Sequence, residues 1–371
     1  MPRTRSLLIA ITCAGWAACT DSTGPGGPPP ASGLVVLNGS GATGVTTLSL
    51  TSLTSAHIDF GSGFNGAVMS LQNDTVLSTS SDFGGDLLYI ADLPRGTVRK
   101  VQLAAPSNPA GATFVAPGAL GGDAGHFLVA LSGLQSLEQV AVSPSGTVST
   151  KIIAGAGRCP FDVAMRGDVA WTADANEACE GDYRVLGPGA LVGVHLTTSA
   201  RDRIALPALA VGPSRVFIIG DDAFVLAIGC NPAFATGCLD LPASVTRVNL
   251  VTRQISVLQL PTGVYGESMQ RGRDGKLYVV GYEGGFVTHL FTVDPQTLSF
   301  VGPFVSGTKF RSVLTQSGTQ APCVVATAGS DGTIFCLVNG QASATVIVAT
   351  PPGAFVRSLA AGSPGFDIAV R

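Results

Sequence analysis

Five polar side chains stand close to aromatic residues at the head of short runs along this chain. They are Asn65 after Phe64, Asp162 after Phe161, Glu267 near Tyr265, Arg311 after Phe310 and Arg357 near Phe355. Brought together, two acids, two arginines and an amide would make a polar ligand site. A bland outcome uses the same residues: they pair with one another and with water, and merely close an axis. The elements that carry them decide between these readings.

One motif offers a different chemistry. The segment LVVLNGSGATGVTTLSL contains Gly39-Ser-Gly41-Ala-Thr-Gly44, the G-x-G-x-x-G spacing of a dinucleotide fingerprint. That fingerprint needs a helix straight after its glycines, because the helix N-terminus binds the pyrophosphate. Here VTTLSLTSL follows, rich in β-branched residues and suited to a strand. The glycines are therefore expected to form a loop between two antiparallel strands. Nucleophile elbows, zinc-protease helices, phosphate-binding P-loops and calcium loops have no match in the chain. His57, His126, His195 and His289 fall at unrelated places in the strand pattern and are not expected to converge. Trp171 reads as core.

Charge excludes one class of partner. Only 12% of the 371 residues are charged, for a net charge of −3, and the basic residues are scattered. Nucleic-acid binding needs them clustered. The N-terminus reads as an export signal: Arg3 and Arg5, then the apolar run SLLIAITCAGWAA, too short to cross a bilayer as a helix. It ends in Trp16-Ala-Ala-Cys19, small residues before a cysteine that resemble a bacterial lipobox, although Trp16 replaces the usual leucine. Residues 1–18 are thus expected to be a lipoprotein signal peptide, with Cys19 carrying the lipid. Residues 19–33, rich in Pro and Gly, would form a tether reaching on the order of 40 Å from the membrane. Cys159, Cys179, Cys230, Cys238, Cys323 and Cys336 remain in the body. They lack C-x-x-C spacing, and the chain has few histidines, so disulfides are expected in preference to zinc. Proximity in sequence favours Cys159–Cys179, Cys230–Cys238 and Cys323–Cys336, and an oxidising compartment follows.

From residue 34 onward, short apolar and β-branched runs alternate with Gly, Pro, Asn and Asp, which predicts many short strands. Second strands of successive units fall near Val35, Val76, Phe127, Val169, Phe224, Leu277 and Val324, about 48 residues apart. Four-stranded units at that spacing predict an all-β fold, a seven-bladed β-propeller, over residues 34–371. First strands are expected at GAVMSL, ATFVAP, FDVAMR, ALAVGP, ESMQRG and RSVLTQ. The first unit lacks one, and the C-terminal FDIAVR, nearly a copy of FDVAMR, would supply it and close the ring. Whether one or two C-terminal strands join that blade stays open. In this arrangement the five polar residues ring one mouth of the central channel.

Two segments carry a family resemblance. GDLLYIADLPRGTVRKVQL (85–103) resembles the phrase of NHL repeats, and DGKLYVVGYEGGFVTHLFTVDPQTLSFV (274–301) is similar to YVTN repeats. The resemblance implies a bacterial propeller. Such propellers include binding scaffolds, lactonases and metal hydrolases whose divalent ion is held by acids and an amide at the channel mouth. The local motifs around Asn65, Asp162 and Glu267 do not match theirs, so those roles are not carried over. The first expectation is a monomeric, membrane-anchored, non-enzymatic scaffold that binds a small ligand, a glycan or a protein and needs no cofactor. It would sit on the periplasmic or cell-surface side of the envelope. The alternative is a metal-assisted hydrolase or lactonase at the mouth.

Overall fold

The LVVLN run forms the strand Gly33–Asn38, and all six of its residues are buried. The computed structural model describes residues 32–371 apart from 40, 65, 67, 81–85, 117–119, 121–124, 180–183, 233–238, 285–286, 306 and 352. Leu34 and Val36 pack against Phe335, Leu337 and Val346 on one side of the strand. Val35 and Leu37 pack against Phe60, Phe64 and Tyr89 on the other. A strand covered on both faces reads as a continuous apolar run, without the alternation of a half-solvated sheet. Each such Val or Leu contributes roughly 1.5–3 kcal/mol by burial.

Every sheet is built in this way. Seven sheets of four antiparallel strands form a β-propeller, and apolar clusters fill the space between neighbouring blades. We number the blades in chain order, with Gly33–Asn38 in blade 1. The innermost strands of blades 2 to 7 are Met69–Gln72, Pro109–Phe114, Pro160–Arg166, Pro213–Ile219, Tyr265–Arg271 and Val325–Ala328. Blade 1 takes its innermost strand from the C-terminus: Gly365–Val370 pairs antiparallel with Gly33–Asn38, from Leu34↔Val370 to Leu37↔Asp367. Beyond it the backbone N–H of Arg371 donates to Gly33 O at 2.9 Å. The ring is closed by one C-terminal strand, because the preceding run, Phe355–Ala360, is the outer strand of blade 7.

Two expected first strands are displaced. ALAVGP is the connection from blade 4 to blade 5, and the innermost strand begins where that run ends, at Pro213. Ala210 and Val211 are buried there without belonging to a strand. RSVLTQ is also a connection. Blade 6 ends in a two-residue outer strand, Ser299–Phe300, and residues 301–324 cross to blade 7 with only isolated bridges. Val313 is apolar because it packs with Tyr278 and Leu290, not because it pairs in a sheet. Val324 consequently precedes the innermost strand of blade 7, whose second strand is Ile334–Asn339.

The glycines of GSGATG make a hairpin loop between the strands Gly33–Asn38 and Gly44–Ser49, as their sequence context predicts. Gly44 has φ +134°, and a Cβ there would meet Ile58 O at 2.1 Å. Disulfides join Cys159 to Cys179 and Cys323 to Cys336, with Cα atoms 5.7 and 5.3 Å apart. Both are among the expected local pairs, and they point to an oxidising, non-cytoplasmic compartment. Cys238 lies outside the described residues. So do residues 1–31, with the signal segment, Cys19 and nearly all of the tether. Among the described residues, no helix is long and apolar enough to cross a membrane.

Candidate functional site

Four of the innermost strands share a local irregularity at their starting ends. Their pairing register slips between Pro160 and Asp162, between Pro213 and Arg215, and between Gly266 and Ser268. In blade 1 the same slip lies opposite Leu37/Asn38, between Asp367 and Gly365. Each slip leaves one residue out of the ladder: Phe161, Ser214, Glu267 and Phe366. A bulge of this kind re-aims a side chain and is common beside binding sites. These four residues line a cavity of about 470 Å³ to which all seven blades contribute, the upper mouth of the channel. Ser214 Oγ is buried there without a hydrogen-bond partner. Glu267 is solvent-accessible within the concavity and makes no ion pair among the described residues, and burial raises its carboxyl above the usual range. Phe366 lies over the backbone of Gly39, where a Cβ would overlap its ring.

One residue below the bulges the channel is ionic. Asp367 Oδ2 accepts from Arg215 Nη2 and from the backbone N–H of Met69, both at 2.9 Å. Its Oδ1 accepts from the Gln270 amide and from the N–H of Ile368. Asp162 repeats the pattern in blade 4, with Oδ1 accepting from Val163 N and Oδ2 from Val216 N, both at 2.9 Å. Each aspartate thereby holds its own strand and reaches the innermost strand of the next blade. Burial pushes Asp162 up to about 6, with Asp367 adding to the rise, while Arg215 and the N–H donors of Val216 and Val163 oppose it. Burial alone would lower the Arg215 guanidinium, but Asp367 and Asp162 leave it raised on balance.

Only part of the predicted site assembles. Asp162 and Glu267 do lie on innermost strands at the upper end of the channel. Arg311 does not: it lies in the connection to blade 7, buried, and its guanidinium donates to Gly302 O at 2.6 Å and to Pro351 O. Burial lowers its pKa from the usual arginine value. Arg357 is on the outer strand of blade 7 and donates to Leu50 O at 2.9 Å, bridging to blade 1 at the periphery. Neither reaches the mouth, because RSVLTQ is a connection and not an innermost strand, and Phe355–Ala360 is the outermost strand of its blade. Asn65 lies outside the described residues. Arg215, Asp367, Ser214 and Phe366 were missed. Asp367 had a signal, since FDIAVR copies FDVAMR and so places Asp367 where Asp162 stands. Arg215 would have followed from aligning Pro213-Ser-Arg215 with Pro160-Phe-Asp162.

Among the described residues, the grouping of metal-ligand types is Cys159, Glu177 and Cys179, and its two sulfurs are bonded to each other. The upper mouth supplies, among the described residues, one uncommitted carboxylate, Glu267. Asp162 is engaged by backbone N–H groups, and Asn65 lies outside the described residues. The histidines are dispersed: His57 contacts Thr46, and His289 faces Glu283 and stacks on Phe310 with centroids 3.6 Å apart. Trp171 is 3% exposed and packs in the core.

The sequence matches no known family model and no curated protein. Solved structures share its fold. A putative 6-phosphogluconolactonase from Bacteroides fragilis superposes with a TM-score of 0.56 at 11% identity, covering 91% of this chain and 98% of that one. A quinonprotein alcohol dehydrogenase-like protein from Bacteroides thetaiotaomicron gives 0.56 at 10%, covering 92% and 78%. Catalytically inactive virginiamycin B lyase from Staphylococcus aureus, with quinupristin, gives 0.52 at 11%, covering 87% and 94%. Identities this low show the fold alone. A lactonase, a dehydrogenase-like protein and a lyase on one scaffold leave the activity to be argued from the site.

Proposed function

We propose that this protein is an exported, lipid-anchored propeller of the NHL/YVTN kind that binds a small ligand at its upper mouth without transforming it. The observation that carries the reading is the division of labour among the channel's polar groups. Asp162, Asp367, Arg215 and Gln270 are engaged with one another or with backbone N–H groups. Glu267 and Ser214 Oγ, one level higher, have no partner among the described residues and line a cavity of about 470 Å³ with Phe161 and Phe366. A suitable ligand carries a hydrogen-bond donor or positive charge for Glu267 and a flat face for the two rings, as an amino sugar or a cyclic amine does. Export is supported by the signal-like N-terminus and the disulfides, and anchoring by Trp16-Ala-Ala-Cys19.

The test is calorimetric titration with a panel of monosaccharides, amino sugars and cyclic amines. At least one should bind one to one, more tightly as Glu267 ionises with rising pH, and Glu267→Gln or Phe161→Ala should weaken it at least tenfold. Panel-wide absence of binding, or binding indifferent to both substitutions, overturns the proposal. The alternative, a metal-assisted hydrolase or lactonase, would need further metal ligands at the mouth beside Glu267. Stoichiometric divalent metal retained by the purified protein would favour it.

A further inference from the structure

We propose a second binding site at the opposite, lower mouth of the channel, for a small organic anion bearing a carboxylate or phosphate group. The cavity there measures about 450 Å³, and its wall includes Arg215, Arg271 and Arg273. Arg271 ends the innermost strand of blade 6, and Arg273 stands in the turn that follows, its N–H fixed on Ala328 O of blade 7 at 2.8 Å. Between them only glycine fits closely: a Cβ on Gly272 would meet Asp274 Oδ1 at 2.5 Å and the Tyr278 ring at 2.7 Å. The turn therefore holds two guanidinium groups at one edge of the channel.

Other arginines on this fold are committed. Arg166 pairs with Asp221, Arg247 with Asp222 and Arg371 with Asp74, while Arg311 and Arg357 donate to carbonyls. The Arg271 and Arg273 side chains have no acceptor among the described residues. The acids within reach are already used. Asp274 accepts from Lys276 Nζ at 3.1 Å and Tyr278 OH at 2.9 Å. Asp162 lines the same cavity, but both of its oxygens face backbone N–H groups. Asp367 is held by Arg215.

Two unneutralised guanidinium groups at a concavity with low-dielectric walls focus a positive field into it. Their planar forks match carboxylate and phosphate oxygens in two-bond geometry. Leu71, Met165 and Ile218 line the same space and offer an apolar surface that an inorganic ion would leave uncovered. The site therefore suits an anion with a carbon skeleton, and it has the opposite sign to the upper mouth.

The experiment is calorimetric titration of the purified full chain, at low ionic strength, with succinate, glycerol 3-phosphate and inorganic phosphate. At least one of the two organic anions should bind one to one, more tightly than inorganic phosphate and more weakly as salt is added. Succinate alone would assign carboxylates, and glycerol 3-phosphate alone phosphomonoesters. The Arg271→Gln/Arg273→Gln variant should bind at least tenfold more weakly with an unchanged melting temperature. Saturable binding of neither organic anion at millimolar concentration overturns the proposal. So does equal affinity in wild type and variant, or an organic anion bound no better than inorganic phosphate.

Discussion

Replacing Asp367 by alanine tests whether the channel's ionic centre holds the ring together. The carboxylate joins its own strand in blade 1 to Met69 of blade 2, Arg215 of blade 5 and Gln270 of blade 6. Arg215 is only 7% exposed, so the substitution strands a charged guanidinium with Asp162 as its remaining counter-charge. Removing one partner of a buried ion pair typically costs about 3–5 kcal/mol, since the other stays desolvated and unpaired. Over the roughly 340 residues from 32 to 371, at about 2.1 cal/mol/K each, the unfolding entropy is about 0.7 kcal/mol/K, which turns that loss into a fall of about 4–7 °C in Tm. Scanning calorimetry would read it. The double variant Arg215→Met/Asp367→Leu supplies the control, because a buried pair replaced by apolar side chains of similar size is often neutral or stabilising. It should melt closer to the wild type than the single variant does. Asp367→Ala melting within a degree of wild type would refute the reasoning. A double variant as unstable as the single would refute its electrostatic half, leaving the hydrogen bond to Met69 as the main loss.

Deleting Phe366 to Arg371 removes the innermost strand of blade 1 except for Gly365 and exposes the edge of Gly33–Asn38. The truncated chain should melt far lower or aggregate, while deletion of residues 20–31, short of Ser32, whose O accepts from Leu50 N, leaves Tm unchanged; equal melting of the C-terminal truncation and the full chain would disprove closure by this strand. For Asp162, burial lifts the folded carboxyl from 3.8 to about 6, so across that window the folded state retains a proton that the unfolded chain has released. Its contribution to stability therefore declines as pH rises from about 4 to 6. Asp162→Asn should flatten that part of the Tm–pH curve, and an unaltered slope would mean the group does not titrate there. Cys19→Ser is expected to move the protein from the membrane to the released fraction; identical partition of both forms would remove the lipid anchor. Peptide mapping without reduction should return Cys230–Cys238 beside the two described bridges, and a bridge from Cys230 to another blade would contradict local pairing.

The chain announces its strands because the information is local. Runs such as LVVLN and LYVVGYE are apolar on both faces and bounded by turn residues, and their recurrence at blade length specifies a propeller. FDIAVR announced the closing strand in the same way, by copying FDVAMR. Connections buried between blades obey the same composition rule as strands, so ALAVGP and RSVLTQ could not be told from innermost strands by pattern alone. Hydrogen-bond pairing separated them, and pairing is settled between residues distant in the chain. The site follows the same division. Glu267 and Asp162 were legible as polar residues at the heads of strands. Their different roles were not, because Asp162 is committed by Val216 N, in the next blade. Nor could composition single out Arg215, Arg271 and Arg273 from the other arginines. An arginine becomes a structural tie or an open anion site according to which acceptors the closed ring brings within reach, and only the tertiary structure supplies those.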